Sequence, residues 1–241
     1  MATNYAQQST YDVRFAWGLS GLHAMDSGEV TVIIVDVLSF STAVSVALSR
    51  KAGVLPFPWR DARASEYARL RGALLADARG AGEYSLSPTT LLRLPLGTRI
   101  VLPSPNGATL CFESRSPRVI AGCFRNRAAV TALAQSLGKP VAVIAAGERW
   151  TDGSLRPTLE DWLGAGAIIS LLGGRQSPEA QSTAATYDAN EDLLNTLLHC
   201  ASGLELIERG YRSDVEIAAE LDTDKHACLL ENGAFTVEGT H

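Results

Sequence analysis

A chain of 241 residues, 46% hydrophobic and 20% charged, buries roughly 70–75% of the surface its unfolded form exposes, so neither disulfides nor a structural metal is needed for a core. With 21 Lys and Arg against 26 Asp and Glu the formal charge is −5, the wrong sign for gripping a phosphate backbone, and nucleic acid is not an expected partner.

Met1 to Tyr11 has no basic segment followed by an apolar run, and no later stretch approaches the roughly 20 apolar residues of a bilayer span, so the expected location is the cytoplasm, with no membrane partner. Val30 to Val35 is a β-branched run ending in Asp36, too continuous for a strand with one wet face, which predicts a central strand buried on both sides. A helix through Ala43–Leu48 ends near Gly53, and Val54–Phe57 makes a short strand, giving a βαβ unit. Asp61 to Ala78 favours a long helix, and Ser85 to Pro95 a loop with a weak turn of helix. Arg99–Pro103 and Arg118–Gly122 read as strands, Arg127–Leu137 as a helix, and Val141–Gly147 as a third buried strand. Helices follow over Thr158–Leu172, Ser177–Cys200 and Ser202–Leu221, and Ala227–Val237, broken by Asn232-Gly233, predicts a terminal hairpin.

This alternation predicts a layered α/β/α fold with a central, mostly parallel or mixed sheet. Val30–Val35, Arg99–Leu102 and Val141–Ala145 are expected in one sheet, their C-terminal ends facing a shared cleft. No linker or repeat divides residues 1–241, which are read as one domain.

In open α/β sheets ligands bind beyond the carboxyl ends of the strands, so the polar residues that stop the apolar runs are the first candidates. These are Asp36, Ser104-Pro105-Asn106-Gly107 and Gly147-Glu148-Arg149. A buried aspartate needs a cation or N–H donors, or else caps the next helix. A strand ending in aspartate is similar to that of haloacid-dehalogenase-type phosphatases, but those need a second aspartate two positions on, where this chain has Leu38.

Ser39, Ser41 and Thr42 open a helix, where capping and anion binding are both open readings. Ser104–Gly107 could fold N–H groups around a phosphate, glycine allowing close approach and Asn106 tolerating positive φ, or form an ordinary turn. Arg149, with Arg156 nearby, offers a forked donor for an anion. Glu160 and Asp161 in the first turn of a helix can hold Mg²⁺, a hard cation, or complement the dipole, Thr158 and Asp161 matching a capping box.

Ser202-Gly203 and Ser213-Asp214 are two further helix starts with donor and acceptor groups. His23, His199, His226 and His241 make no zinc pattern, and Cys111, Cys123, Cys200 and Cys228 form no C-x-x-C pair, so the cysteines read as reduced core residues. No G-x-S-x-G, Walker A or G-x-G-x-x-G motif is present.

The ordered set of Val35-Asp36-Val37-Leu38 with Ser41-Thr42, Pro105-Asn106-Gly107, Gly122 with Asn126, Ala146-Gly147, Glu160-Asp161 with Gly164-Ala165-Gly166, and Ser202-Gly203 through Gly210 to Asp214 resembles the 2-phosphosulfolactate phosphatase (ComB-like) family. The resemblance spans most of the chain. It implies that family's own α/β fold and Mg²⁺-dependent hydrolysis of phosphate monoesters of 2-hydroxy acids, in the route to coenzyme M. Many members carry an arginine where this chain has Ser39 and a basic residue where it has Leu204.

The expected protein is then a Mg²⁺-dependent phosphatase of a small anionic phosphomonoester, 2-phosphosulfolactate or a related phosphorylated 2-hydroxy acid. Asp36, Glu160 and Asp161 are its candidate metal ligands, and Asp36, Asn106, Glu148 and Arg149 its catalytic candidates, with Arg149 meeting the substrate's second anion. Ser41, Thr42, Ser104, Gly107, Asn126, Gly147, Ser202, Gly203 and Asp214 are candidate substrate contacts. A non-catalytic small-anion-binding protein and another Mg²⁺ enzyme of phosphorylated acids stay open as alternatives, as does a homodimer.

Overall fold

The protein is described here by a computed structural model covering residues 5–59, 61–138, 140–227 and 229–237. Cys228 and His241, named above, lie outside the described residues.

In chain order the first half comprises β1 (Val13–Trp17), α1 (Gly18–Met25), β2 (Thr31–Val35), α2 (Phe40–Ser49), β3 (Gly53–Phe57), α3 (Ala62–Arg71), β4 (Leu74–Leu75), α4 (Pro88–Leu91) and β5 (Arg99–Pro103). Then come α5 (Gly107–Glu113), β6 (Val119–Gly122), α6 (Arg127–Ser136), β7 (Val141–Ala145), β8 (Glu148–Arg149), β9 (Leu155–Arg156) and α7 (Leu159–Ile169). The chain closes with α8 (Pro178–Asp188), α9 (Leu193–His199), α10 (Ala201–Glu208), α11 (Arg212–Ala218), β10 (Leu230–Glu231) and β11 (Ala234–Phe235).

The layered α/β architecture is as expected, but the three apolar runs do not share one sheet. β2 and β7 are neighbours in a parallel sheet of order β1-β7-β2-β6, whereas β5 belongs to a mixed sheet of order β10-β11-β3-β5-β4. The β2-α2-β3 segment therefore passes between sheets instead of closing a βαβ unit. A run buried on both faces is the same signal in either sheet, so periodicity could not distinguish them.

Helix α2 is what separates the sheets. Phe40 through Leu48 are all buried, and they share one core with Val32, Ile34 and Ile144 of the parallel sheet and Val54, Ile100 and Leu102 of the mixed one. A helix buried all round, its Ser41, Thr42 and Ser45 hydroxyls included, has water on no side. The outer face of the parallel sheet packs Ile33, Val35 and Val143 against α6, α7 and α8, and α3 covers the mixed sheet with Ala64 and Ala68 against Leu55 and Val101.

Three predicted helices are shorter than the sequence suggests. α3 stops at Gly72, whose φ of +58° is a left-handed cap, and the chain then extends as β4 beside β5 instead of remaining helical to Ala78. The Ser177–Cys200 stretch is two helices because Asp192 caps a new one, accepting from Asn195 N at 3.0 Å. Ser202–Leu221 is also two, the first closing where Tyr211 N bonds back to Leu206 O. Edge strand β1 was not predicted, since Arg14 interrupts its apolar run. No helix among the described residues is long and apolar enough to cross a membrane.

Candidate active site

Asp36 follows β2 and is buried. Its Oδ2 accepts from Gly107 N at 2.8 Å and its Oδ1 from Phe40 N at 3.1 Å. A Cβ at Gly107 would lie 2.4 Å from Phe40 Cδ1 and 2.8 Å from Asp36 Oδ2, so only glycine lets the loop after β5 close on the carboxylate. Asn106 has φ −104°, so the Asn-Gly pair serves close approach and not a left-handed turn.

Asp161 reaches across from α7, its Oδ1 accepting from Val37 N at 2.7 Å and its Oδ2 from Gly147 N at 2.8 Å. Thr158 makes no side-chain cap bond. The capping box expected of Thr158 and Asp161 is therefore not formed, and the carboxylate instead ties together the ends of β2 and β7.

Glu160, also buried, receives a 3.6 Å contact from Cys200 Sγ. It is Cys200, not Ser202, that caps α10, Sγ accepting from Gly203 N at 3.3 Å. Ser202 Oγ is left buried against Glu160, without a hydrogen bond of ordinary geometry.

Asp36, Glu148, Glu160 and Asp161 act on one another electrostatically. Burial first, then Glu148 and Glu160, pushes Asp36 up to about 6 against the N–H donors of Phe40 and Gly107. Burial raises Asp161 well above the usual carboxylate range, with Glu160 and Asp36 adding to it. Glu160 is raised too, mainly by burial, while hydrogen bonds and Arg156 oppose the shift. Carboxylates held in this way favour a proton or a cation. Among the described residues no group of three or more His, Cys, Asp or Glu side chains stands ready to hold a metal ion.

Asn106 Nδ2 donates to Glu148 Oε1, joining the loop after β5 to the β8–β9 hairpin. Beside this pair opens a cleft lined by Trp17, Pro105, Asn106, Glu148, Arg149 and Leu155. Arg149 is exposed and its Nη1 donates to Gly153 O at 3.2 Å, within its own hairpin. Gly147, at φ +66°, starts that hairpin.

The other candidates shape the site from behind. Ser41 Oγ accepts from Asp36 N and donates to Ile34 O, Thr42 Oγ1 donates to Val37 O at 2.7 Å, and Ser104 Oγ accepts from Asn106 N at 3.3 Å. Asn126 is fully buried, its Oδ1 accepting from Cys123 N at 2.9 Å and its Nδ2 donating to Ala121 O. Gly203 lies against α9, where a Cβ would meet Leu197 O at 1.8 Å. Asp214 is buried and accepts from Ser87 Oγ at 2.6 Å and Thr89 Oγ1 at 2.7 Å, which fastens α11 to α4. None of these polar groups faces the cleft unpartnered.

Sequence reasoning missed Arg79, which sits one residue beyond the helix predicted to end at Ala78. Its Nη2 donates to Ser39 Oγ at 2.6 Å, so a guanidinium from the loop after β4 stands against Ser39. Only the pairing of the two sheets brings these residues together, and no local pattern records it.

The chain matches the family model described as 2-phosphosulpholactate phosphatase over residues 20–233. A probable 2-phosphosulfolactate phosphatase of Thermotoga petrophila is 29% identical over 219 residues, 86% of this chain and 92% of the relative. One from Thermotoga maritima shows the same identity and coverage. Another, from Carboxydothermus hydrogenoformans, is 31% identical over 204 residues, 79% of this chain and 82% of that protein. The matched span takes in the turn after β2, the Asn106-Gly107 loop, the β8–β9 hairpin and the acidic start of α7, and the chain belongs to the 2-phosphosulpholactate phosphatase family.

Proposed function

We propose that the protein is a Mg²⁺-dependent phosphatase of a small anionic phosphomonoester, 2-phosphosulfolactate or a related phosphorylated 2-hydroxy acid. The observation that carries this reading is the gathering of Asp36, Glu160 and Asp161, all buried and all with raised proton affinity, at the carboxyl ends of adjacent parallel strands. Relatives named as probable 2-phosphosulfolactate phosphatases supply the substrate class.

Asp36, Glu160 and Asp161 are not preassembled as a three-ligand group, and both oxygens of Asp36 and of Asp161 already accept backbone N–H bonds, but their all-oxygen, strongly negative chemistry suits a hard divalent cation better than zinc or copper. Asp36, Glu160 and Asp161 would hold Mg²⁺, directly or through water, and the ion would neutralise charge on the phosphoryl oxygens. Hydrolysis breaks the ester P–O bond, adds water's oxygen to phosphorus and returns a proton to the leaving alkoxide. Glu148, oriented by Asn106 and partly open to the cleft, is the carboxylate placed to exchange that proton. Ser202 Oγ places a hydroxyl beside Glu160, without a hydrogen bond of ordinary geometry. Arg149 adds positive potential at the cleft mouth.

The test is a phosphate-release screen over phosphorylated 2-hydroxy acids, with and without Mg²⁺. Release that needs Mg²⁺ and favours 2-phospho acids over simple aryl phosphates is the expected result. Tight binding of the same compounds without turnover would instead support a small-anion-binding protein.

A further inference from the structure

We propose that Arg79 and Ser39 form the subsite for the substrate's second anion, the carboxylate or sulfonate that a phosphorylated 2-hydroxy acid carries beside its phosphate. The inference rests on the phosphatase reading and assigns to one part of that site a ligand chemistry.

Arg79 is an uncommon arginine in its burial. Its side chain is only 14% exposed, yet its one ionic partner among the described residues, Asp214, meets it through Nε at 3.4 Å rather than through the fork. Asp214 does not depend on it, since Ser87 Oγ, Thr89 N and Thr89 Oγ1 all donate to the same carboxylate. Nη2 is used by Ser39 Oγ at 2.6 Å and Leu86 O at 3.3 Å, and no hydrogen bond is made by Nη1 among the described residues.

Ser39 is equally uncommitted. It precedes α2 but its side chain does not cap the helix. Its oxygen accepts from Arg79, and among the described residues its O–H donates no hydrogen bond, so the proton is available to a ligand. Ser39 adjoins Phe40, whose N–H donates to Asp36 Oδ1 at 3.1 Å, so these donors stand one residue along the chain from a group that holds the Asp36 carboxylate. A guanidinium N–H and a hydroxyl side by side present two donors to one anion oxygen pair. Of the other arginines near the site, Arg156 faces Glu205, Arg149 bonds within its own hairpin, and Arg125 pairs through Nη1 with Glu220, its Nε staying buried without a hydrogen bond among the described residues.

The experiment compares kcat/KM on 2-phospholactate, on 2-phosphosulfolactate and on 4-nitrophenyl phosphate, which lacks the second anion, for the wild type, Arg79→Lys and Ser39→Ala. Lysine keeps the charge facing Asp214 while removing the planar fork, and Ser39→Ala leaves the Arg79–Asp214 pair untouched, so neither test needs an unpaired buried carboxylate. The expected result is a fall of about tenfold or more, for Arg79→Lys, in the ratio of kcat/KM on the acids to that on the aryl phosphate, mostly through KM. Ser39→Ala should lower it in the same direction. A larger fall on 2-phosphosulfolactate than on 2-phospholactate assigns the sulfonate, and equal falls assign the carboxylate. Equal loss on all three compounds, or none, overturns the proposal. Should the wild type release no phosphate, the phosphatase reading fails separately, and calorimetric binding of 2-phospholactate decides: an unchanged Kd in Arg79→Lys overturns the subsite.

Discussion

At the scale of single residues the site turns on carboxylates whose hydrogen-bond partners were invisible in the sequence. Glu160 and Asp161 are adjacent, yet Asp161 is held by two backbone N–H groups while Glu160 meets a thiol and a hydroxyl. Glu160 is thus the freer of the two to take a ligand. Glu160→Gln keeps the shape and removes the charge, so phosphate release and its Mg²⁺ response should fall while stability changes by no more than about 1 kcal/mol, the scale of a capping or dipole contribution. An unaltered Mg²⁺ titration would return Glu160 to the role of an acid at a helix start. Asp36, Asn106, Glu148, Glu160 and Asp161 could be named as candidates from the sequence because each ends an apolar run or opens a helix. Arg79 could not, because nothing in Ala78-Arg79-Gly80 marks it, and its place beside Ser39 comes from a 2.6 Å bond across 40 residues of sequence.

At the scale of elements, the β8–β9 hairpin places Glu148 and Arg149, and Gly147 sets its angle. A Cβ on Gly147 would lie 2.8 Å from Leu155 Cδ1 and 2.9 Å from Arg156 O, on a backbone already at φ +66°. Gly147→Ala should therefore cost about 1–2 kcal/mol in backbone conformation alone and swing the hairpin outward. The expected result is a loss of phosphatase activity larger than the drop in melting temperature explains; activity that merely tracks the folded fraction would deny the hairpin a part in the site. The sequence located strands and helices well where apolar runs were long. It overran them at Gly72 and Asp192, where a left-handed cap and a side-chain cap act on one residue and the flanking composition stays helical. The two-residue strands β8 and β9 pair only with each other, and no periodicity of that length can be read.

At the scale of the whole molecule, the fold gathers Asp36, Glu160 and Asp161 as buried carboxylates, and their charge should govern stability. Asp36 holds its proton up to about 6 against an ordinary 3.8, so the folded state binds that proton more tightly than the unfolded chain does. Its favourable contribution is then complete below about pH 4 and lost as pH rises through about 6, with the raised Glu160 and Asp161 acting in the same direction. Mg²⁺ should restore what ionisation removes, raising the melting temperature at about pH 7.5 and much less at about pH 5, with up to about 2.7 kcal/mol at a hundred times its Kd. The same shift at both pH values would place the ion elsewhere. That the β2 and β5 runs lie in different sheets was beyond the sequence, because what assigns them is the burial of α2 between them. That burial has a kinetic consequence. With side chains from both sheets packed on Phe40 through Leu48, neither sheet can open without uncovering the other, so the amide protons of this helix should exchange with deuterium only when the entire chain unfolds. Its slowest sites should then report a free energy equal to the global value, while amides in the β8–β9 hairpin exchange through far smaller openings.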